Sequence, residues 1–394
     1  MQILRYRIAV SDADILDLRR RLELTRWPSS TEGHGWELGM DLDFLKSLVT
    51  YWRTQFDWRA IEAELNTIPQ FEALSHSGSI HFARLEAAHP GALPIVLTHG
   101  WPSTFAEFLT LGDMLACPEK HGATSADAFD VVIPSLPGYV FSSPPRQTGT
   151  HVFRIADLWA DLMTALGYDR FIAHGGDLGA GVSTALALRY PQRLHGVHLN
   201  FIPGSYRPAV DDSALCAEEI DFFERRAAWL DAEGGYSHLQ GTKPDVPGVS
   251  LNDSPAGLAA WIVDKFRSWS DCNGDVGSRF TRDELLTTIS LYWFTRSMPS
   301  AIRLYWEGRK RPLHFAAGER VNAPVGIAHF PRELPMPPRR YVERGYNVTR
   351  WTPMPKGGHF AAIEEPAALA EDIRAFARPL RSGWKDARLA SRDA

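Results

Sequence analysis

Residues Gly175-Gly176-Asp177-Leu178-Gly179 form the stretch of sequence that decides the fold. They follow an apolar run at 171–173 and precede a stretch of small residues with a helical pattern at 180–190. A strand, a sharp turn and a helix in this order are typical of the nucleophile elbow, G-x-S-x-G, which presents a nucleophile at the top of a sheet. Aspartate stands here where the motif has serine, so Asp177 is the predicted nucleophile.

Aspartate at this position changes the chemistry that the elbow can perform. A serine alkoxide attacks an acyl carbon, whereas a carboxylate attacks an electrophilic sp3 carbon and forms an alkyl ester. Water must then cleave that ester to restore the carboxylate. Asp177 therefore indicates an epoxide or an alkyl halide as the substrate, and it disfavours an ordinary serine esterase.

The segments around the elbow alternate between short apolar runs and helical patterns. The predicted strands lie at 80–85, 95–98, 131–133, 170–173, 197–201, 325–330 and 347–351. Apolar residues at three- and four-residue steps from 155 to 166 predict an amphipathic helix that leads into the elbow strand. This alternation predicts an α/β class protein with a mostly parallel sheet flanked by helices. Together with the nucleophile elbow, it indicates the α/β-hydrolase fold.

The same pattern divides the chain into four segments. Residues 1–77 form an N-terminal extension with helical patterns at 12–25 and 41–66, and residues 78–202 form the first part of the core. Residues 203–300 lose the strand rhythm and are rich in aromatic residues, which predicts a helical lid inserted into the core. Strand patterns then resume, so residues 301–394 are predicted to complete the core.

Composition excludes several classes of protein. The 394 residues carry a net charge of −5 and no long basic tract, which disfavours nucleic acid and anionic membranes as partners. The three cysteines are far apart in sequence, which disfavours a disulfide framework or a zinc site and fits a reducing cytosol. The N-terminus lacks a signal-peptide core, and no apolar run is long enough to cross a membrane. We expect a soluble, cytoplasmic protein without a membrane anchor.

A carboxylate nucleophile needs a base to hydrolyse its ester, and that base needs an acid to orient it. In this fold the acid and then the histidine follow the nucleophile along the chain. Glu333 follows the strand predicted at 325–330, and His359 follows the last predicted strand. Either residue alone is compatible with an ordinary loop, but the ordered set with Asp177 predicts a catalytic triad.

The backbone at Trp101 and Leu178 is the candidate oxyanion hole. His99-Gly100-Trp101-Pro102 follows the strand predicted at 95–98, where this fold supplies one of the two N–H groups of the hole. The N–H groups of Trp101 and Leu178 are predicted to hold one oxygen of Asp177 and later the tetrahedral oxyanion. A plain strand-to-helix turn explains the same four residues, so this motif is weak by itself.

In combination, these motifs resemble the epoxide hydrolases of the microsomal type, the group that includes the juvenile-hormone epoxide hydrolases. The resemblance covers nearly the whole chain. Its N-terminal part includes Arg26-Trp27-Pro28, its H-G-x-P motif is His99-Gly100-Trp101-Pro102, and its terminal histidine block lies at 357–366. The resemblance implies a lidded α/β-hydrolase that converts an epoxide and water to a vicinal diol.

The resemblance also implies two catalytic tyrosines. Tyr236 matches the first lid-side tyrosine of the family, and Tyr305 matches the second. A phenol can donate a hydrogen bond or a proton to the oxygen that leaves when an epoxide opens. Without the match, a lid tyrosine is more often an amphipathic packing residue.

Two positions depart from the family pattern. Leu178 stands where tryptophan is usual, and Ser103 stands where glycine is frequent. The backbone N–H of Leu178 survives the change, so both departures bear on the shape of the substrate pocket more than on the mechanism.

Two other functions remain as alternatives. A haloalkane dehalogenase uses the same aspartate, but it binds halide with donors such as a tryptophan beside the nucleophile, which Leu178 does not supply. A non-catalytic hydrolase-fold carrier would not need a base that activates water. The expected partners are therefore a small hydrophobic epoxide and water, with no metal or organic cofactor, and a homodimer is left open.

Overall fold

The computed structural model describes residues 1–29, 31–75, 78–209 and 215–381. Residues 76–77 of the predicted N-terminal extension, 210–214 of the predicted lid and 382–394 of the predicted second core segment lie outside these ranges. The strands are β1 (Gln2–Tyr6), β2 (Gln70–Ser75), β3 (Gly78–Leu85), β4 (Leu93–Thr98), β5 (Phe129–Pro134), β6 (Phe171–Gly175), β7 (Leu194–Leu199), β8 (Val321–His329) and β9 (Tyr346–Pro353). They form one sheet in the order β1-β2-β3-β5-β4-β6-β7-β8-β9.

The sheet is mostly parallel. Its strands from β5 across to β9 pair in parallel, and the β1, β2 and β3 end is antiparallel. Every residue of β4, β5, β6 and β7 is buried, because helices cover both faces of the sheet there. Each of the seven strands predicted from sequence overlaps an observed strand, so the prediction of a parallel sheet flanked by helices is confirmed.

The helices surround this sheet and fill the insertion between β7 and β8. They are α1 (Asp12–Glu23), α2 (Leu42–Thr54), α3 (Trp58–Leu65), α4 (Leu109–Ala116), α5 (Val152–Ala165), α6 (Asp177–Arg189), α7 (Ala217–Glu233), α8 (Gly235–Thr242), α9 (Asp245–Asp253), α10 (Pro255–Trp269), α11 (Arg282–Thr295), α12 (Met298–Lys310), α13 (Arg339–Glu343), α14 (Ala361–Glu364) and α15 (Pro366–Ala377). None of the helices within the described ranges combines the length and the apolar character needed to span a membrane.

The inserted helices run from α7 to α12. Helix α12 packs on α8 and α9, and it continues through residue 300, where the sequence pattern ended the lid. The last of these helices carries Tyr305, which the resemblance gives as a lid-side tyrosine.

The N-terminal region contributes strands as well as helices. β1 and β2 extend the sheet by two antiparallel strands that the sequence pattern did not indicate. The single helical pattern at 41–66 forms two helices, because Asp57 caps a new helix by accepting hydrogen bonds from the N–H groups of Arg59 and Ala60. α1 and α2 pack against α10, and α2 also packs against α11, so this region bridges the sheet edge and the lid.

Candidate active site

The elbow holds Asp177 in an uncommon backbone conformation. Asp177 has φ of +45° and begins α6 directly after β6. A turn this sharp requires small neighbours: a Cβ on Gly179 would collide with the Thr98 carbonyl, and a Cβ on Gly100 would collide with the Asp177 side chain. The strained turn therefore exposes the carboxylate at the carboxyl edge of the sheet, as the glycine pattern predicts.

Two groups approach the carboxylate of Asp177. The backbone N–H of Trp101 donates a hydrogen bond to Oδ1 at 2.9 Å. Nε2 of His359 lies 3.7 Å from Oδ2, and the Asp177 side chain is 15% exposed. One oxygen is thus fixed by the backbone, while the other faces the histidine.

Glu333 orients His359 from the opposite side of the imidazole ring. Its Oε1 lies 2.6 Å from Nδ1 of His359 and also accepts a hydrogen bond from the N–H of Leu334 at 2.6 Å. The side chains of Glu333 and His359 are 1% and 3% exposed. Because Nδ1 faces the carboxylate of Glu333, Nε2 is the ring nitrogen available toward Asp177. The three residues predicted as a triad therefore meet in space.

The protonation of His359 depends on this acidic surrounding. Burial alone lowers the pKa of the imidazole, but the charge and hydrogen bond of Glu333, with the charges of Asp177 and Glu107, raise the pKa to about 9. With Asp177 ionised, the imidazole is therefore protonated at neutral pH, and its cation faces the nucleophile.

The loop that carries His359 is held by a buried glutamate that the sequence analysis did not single out. The Glu364 carboxylate accepts hydrogen bonds from the N–H groups of Gly358, Phe360 and Asp271 at 3.0, 3.0 and 2.8 Å. The N–H of His359 itself donates to the Trp269 carbonyl at 2.9 Å. The position of Glu364 in the terminal histidine block is visible in the sequence. Its hydrogen bonds to three backbone N–H groups are not, because they form only when the loop folds around it.

The two predicted tyrosines meet on the lid side of Trp101. Tyr236, on α8, stacks on the Trp101 indole with ring centroids 5.3 Å apart, and Tyr305, on α12, meets the same indole edge-on at 5.7 Å. The two phenol rings are 5.7 Å apart, and Trp269 packs against Tyr236 at 5.0 Å. Trp101 therefore connects the nucleophile, through its backbone, to both phenols, through its ring.

Both phenols stay protonated over a wide pH range. Burial raises the pKa of Tyr236, and the nearby charge of Asp177 raises it further. Burial and the charges of Tyr236 and Asp177 also raise the pKa of Tyr305. Two neutral O–H donors that are sensitive to the charge of Asp177 are thus available beside the nucleophile.

The remaining predicted positions lie close to the same centre. Leu178 is the second residue of α6 and is half-buried, and its N–H as the second oxyanion donor stays a prediction. Ser103 is buried and lines a small cavity with Asp177 and His359. Glu107 and Asn200 line this cavity too, and the sequence analysis missed both of them.

The chain is similar in sequence to known protein families and to individual epoxide hydrolases. Residues 3–108 match the family Epoxide hydrolase N terminus, and residues 94–229 match the family alpha/beta hydrolase fold. The chain is 44% identical over 378 residues to a putative epoxide hydrolase of Stigmatella aurantiaca, covering 96% of this chain and 85% of that protein. The chain belongs to the epoxide hydrolase family. It is 34% identical to Epoxide hydrolase 1 of Sus scrofa, with 94% of this chain and 87% of that protein covered.

Solved structures of the epoxide hydrolase family agree. The fold matches that of Aspergillus niger epoxide hydrolase with a TM-score of 0.84 and 30% identity, covering 96% of this chain and 97% of that one. It matches juvenile hormone epoxide hydrolase of Bombyx mori with a TM-score of 0.83 and 30% identity, covering 97% and 94%. The predicted resemblance to this family and the predicted α/β-hydrolase fold are confirmed, and the chain is a hydrolase.

The site contains acids and a histidine, which are also the residue types that bind metal ions in proteins. Within the described ranges, no group of three or more histidine, cysteine, aspartate or glutamate residues is arranged to hold a metal ion. The imidazole of His359 instead has one carboxylate on each of its two nitrogens, an arrangement that suits proton transfer.

Proposed function

We propose that this protein hydrolyses a small hydrophobic epoxide to a vicinal diol through a covalent ester on Asp177. The single observation that carries the proposal is the pairing of two kinds of group around one carboxylate. A histidine and glutamate pair faces Asp177, and two phenols pack on Trp101, whose N–H binds Asp177: Tyr236 stacks on the indole and Tyr305 meets it edge-on. An epoxide needs both, because its carbon is attacked while its oxygen leaves.

The first half-reaction forms the ester. An oxygen of Asp177 attacks an oxirane carbon, a carbon–oxygen bond forms, and the ring carbon–oxygen bond breaks. Tyr236 and Tyr305 donate hydrogen bonds to the ring oxygen, and one phenol gives it a proton as it leaves. The ring oxygen thereby becomes the hydroxyl of a hydroxyalkyl ester, and that phenol is left as a phenolate. Before attack, the imidazolium of His359 faces the Asp177 side chain, with Nε2 3.7 Å from Oδ2.

Formation of the ester prepares His359 for the second half-reaction. The charge of Asp177 is one of the terms that raise the pKa of His359, and ester formation removes that charge. The pKa of the imidazole therefore falls, and the imidazole releases its proton through solvent to the phenolate left by ring opening. The histidine becomes a base at the stage of the cycle that requires one.

The second half-reaction returns the enzyme to its starting state. His359, oriented by Glu333, takes a proton from water, and the water oxygen attacks the ester carbonyl of Asp177. The N–H groups of Trp101 and Leu178 stabilise the tetrahedral oxyanion. The ester carbon–oxygen bond then breaks, and the departing alkoxide takes the proton from His359. The carboxyl group formed on Asp177 passes its remaining proton to His359, and the diol leaves.

The aromatic surroundings favour a hydrophobic epoxide. Trp101, Trp269 and the two phenol rings supply apolar surface around the reacting groups, and apolar walls select apolar ligands.

Since the three cysteines are free and the chain needs no disulfide, we also infer a reducing, cytoplasmic location.

Haloalkane dehalogenation is the second candidate, because it shares the aspartate nucleophile. Leu178 offers no side-chain donor to a halide, while the phenols of Tyr236 and Tyr305 suit a leaving oxygen. Incubating the protein with styrene oxide and, separately, with a bromoalkane distinguishes the two. Diol from the epoxide supports the proposal, and bromide release without diol contradicts it.

A trapping experiment tests the covalent step. In His359→Gln the ester should form but hydrolyse about 10²- to 10⁴-fold more slowly, because the base is lost. Intact mass after mixing with styrene oxide should show one added substrate mass, located on Asp177 by peptide mapping. The matched control Asp177→Asn should show no adduct. An unmodified Asp177 in the trapped variant would overturn the mechanism.

A further inference from the structure

A small cavity lies directly beside the catalytic carboxylate and imidazole. It has a volume of about 20 Å³ and is lined by groups that include Ser103, Glu107, Asp177, Asn200 and His359. A space of this size holds about one water molecule, and a buried water needs two to four polar partners. Neither Tyr236 nor Tyr305 lines the cavity, so it is separate from the side on which the phenols lie.

One polar group of the cavity wall has an unmet hydrogen bond. The Ser103 hydroxyl is buried and has no partner that meets hydrogen-bond geometry among the described residues. It is nevertheless close enough to the Glu107 carboxyl to favour its charged form. Buried hydroxyls nearly always have a partner, and a water in this cavity would supply one.

Glu107 also borders a second, larger space. A cleft of about 440 Å³ is lined by residues of α3, α11 and α14, and it shares Glu107 and Ala362 with the water-sized cavity. The outer wall of the cleft carries the exposed acids Glu64, Asp283 and Glu284. Glu107 therefore stands between solvent on one side and the reacting groups on the other.

We propose that Glu107 is a water-positioning residue, which holds the hydrolytic water in this cavity between His359 and the ester of Asp177. This inference rests on the proposed covalent mechanism. One hydrogen of the water points to Nε2 of His359, and the other points to a carboxyl oxygen of Glu107. A lone pair of the water oxygen then faces the ester carbonyl carbon, and the cleft refills the cavity from solvent after each turnover.

The protonation state of Glu107 suits this task. Burial raises the pKa of its carboxyl to about 8, against the lowering effects of the Ser103 hydroxyl and the charge of His359, while the charge of Asp177 raises it. A neutral carboxyl still has an oxygen that accepts a hydrogen bond. It also adds no second negative charge beside the oxyanion that forms on Asp177.

Two variants at one position test the proposal. Glu107→Leu removes the acceptor at similar size, whereas Glu107→Gln keeps a carbonyl oxygen and removes the titration. In single-turnover mixing, ester formation should proceed at the parental rate in both. In Glu107→Leu, ester hydrolysis should slow by about 10- to 100-fold, which is the size of effect expected when a reacting group is misplaced. In Glu107→Gln, it should slow by no more than about threefold.

The pH profile supplies a readout that a packing role would not move. In the parent, ionisation of Glu107 above a pH of about 8 places a negative charge beside the forming oxyanion, so ester hydrolysis should decline there. Glu107→Gln should lack that decline. Glu64→Leu is the matched control, because it removes an acid from the outer cleft and should leave both half-reactions unchanged.

The outcomes separate this inference from the proposed function. If the ester forms normally and Glu107→Leu hydrolyses it at the parental rate, Glu107 does not position the water, and the covalent mechanism stands. Equal losses in both half-reactions of both variants would assign Glu107 to packing and overturn the inference. If no ester forms in His359→Gln, the proposed mechanism itself fails.

Discussion

The groups around Asp177 come from two regions of the molecule that are fixed in different ways. The sheet region supplies Asp177, Glu333 and His359 from loops at strand ends, held by close backbone approach and by hydrogen bonds to backbone N–H groups. The lid region supplies Tyr236 and Tyr305 from two helices, held by ring packing on Trp101 and Trp269.

This difference matches the two halves of the proposed reaction. The lid groups assist opening of the epoxide ring, whereas the histidine and glutamate activate the water that hydrolyses the ester. Trp101 is common to both regions, since its N–H bonds Asp177 and its ring supports the phenols. Substitutions in the two regions should therefore slow different steps.

Removal of the phenol hydroxyls should have the largest effect on the lid side. Tyr236→Phe and Tyr305→Phe should each slow ester formation by about 10²- to 10³-fold, the usual loss for one donor to a developing oxyanion. The double variant should lose more than either single one. Rapid mixing with styrene oxide and intact mass measure the rate, with the melting temperature as a check on folding.

The division of the reaction between the two regions also predicts the rate of ester hydrolysis in these tyrosine variants. Ester that does accumulate in them should be hydrolysed at close to the parental rate, because the base and its orienting acid are intact. If ester hydrolysis slowed as much as ester formation, the two regions would not divide the reaction as described.

The second prediction concerns the charge that couples the two regions. In the free enzyme the pKa of His359 is raised to about 9, and Asp177 is one of the causes. Ester formation neutralises Asp177, so the pKa of His359 in the alkyl-enzyme should lie below 9. A base works only when deprotonated, so ester hydrolysis should increase with pH through a midpoint below that value, before the decline expected from ionisation of Glu107.

Two measurements check this shift. Nitrogen chemical shifts of His359 in the free enzyme should titrate near 9, and single-turnover ester hydrolysis should have a lower midpoint. Asp177→Asn mimics the neutral state and should also lower the histidine pKa. A midpoint of about 9 in all three cases would mean that Asp177 does not control the imidazole.

The sheet region was largely predictable from sequence, for a physical reason. Strands buried on both faces are nearly continuous apolar runs, and the elbow requires glycines around its nucleophile, so both leave clear patterns. β1 and β2 left none, because β1 is a short edge strand with no fully buried residue and only two residues of β2 are buried. Strands at the edge of the sheet therefore lack the continuous apolar run that marks the central strands.

The supporting residues of the site were much less predictable. Glu107 lies in Phe105-Ala106-Glu107-Phe108, which looks like an ordinary helical segment with one surface acid. Its closeness to Asp177 and His359 exists only after β4 and β6 pair. Glu364 is similar, since a glutamate that caps backbone N–H groups has the same sequence pattern as a solvated one.

The last prediction has the smallest expected effect and concerns a hydrogen bond between the N-terminal region and the lid. The indole N–H of Trp52, on α2, donates to the Ser290 hydroxyl on α11 at 3.0 Å in a buried setting. Trp52→Phe removes this bond and keeps an aromatic ring. It should cost about 1 kcal/mol of unfolding free energy and lower the melting temperature by about 1–2 °C.

The matched control is Tyr51→Phe, on the same helix. It removes the hydrogen bond from the Tyr51 hydroxyl to Asp283, also on α11, at 2.9 Å, but that bond is exposed to solvent, so its loss should be smaller. α11 packs on α10, and Trp269 of α10 packs on Tyr236 and also accepts the hydrogen bond from the His359 N–H. Any change in rate in Trp52→Phe should therefore appear in ester formation as well as in ester hydrolysis. Slower ester hydrolysis with normal ester formation would show instead that the N-terminal helices support the sheet region.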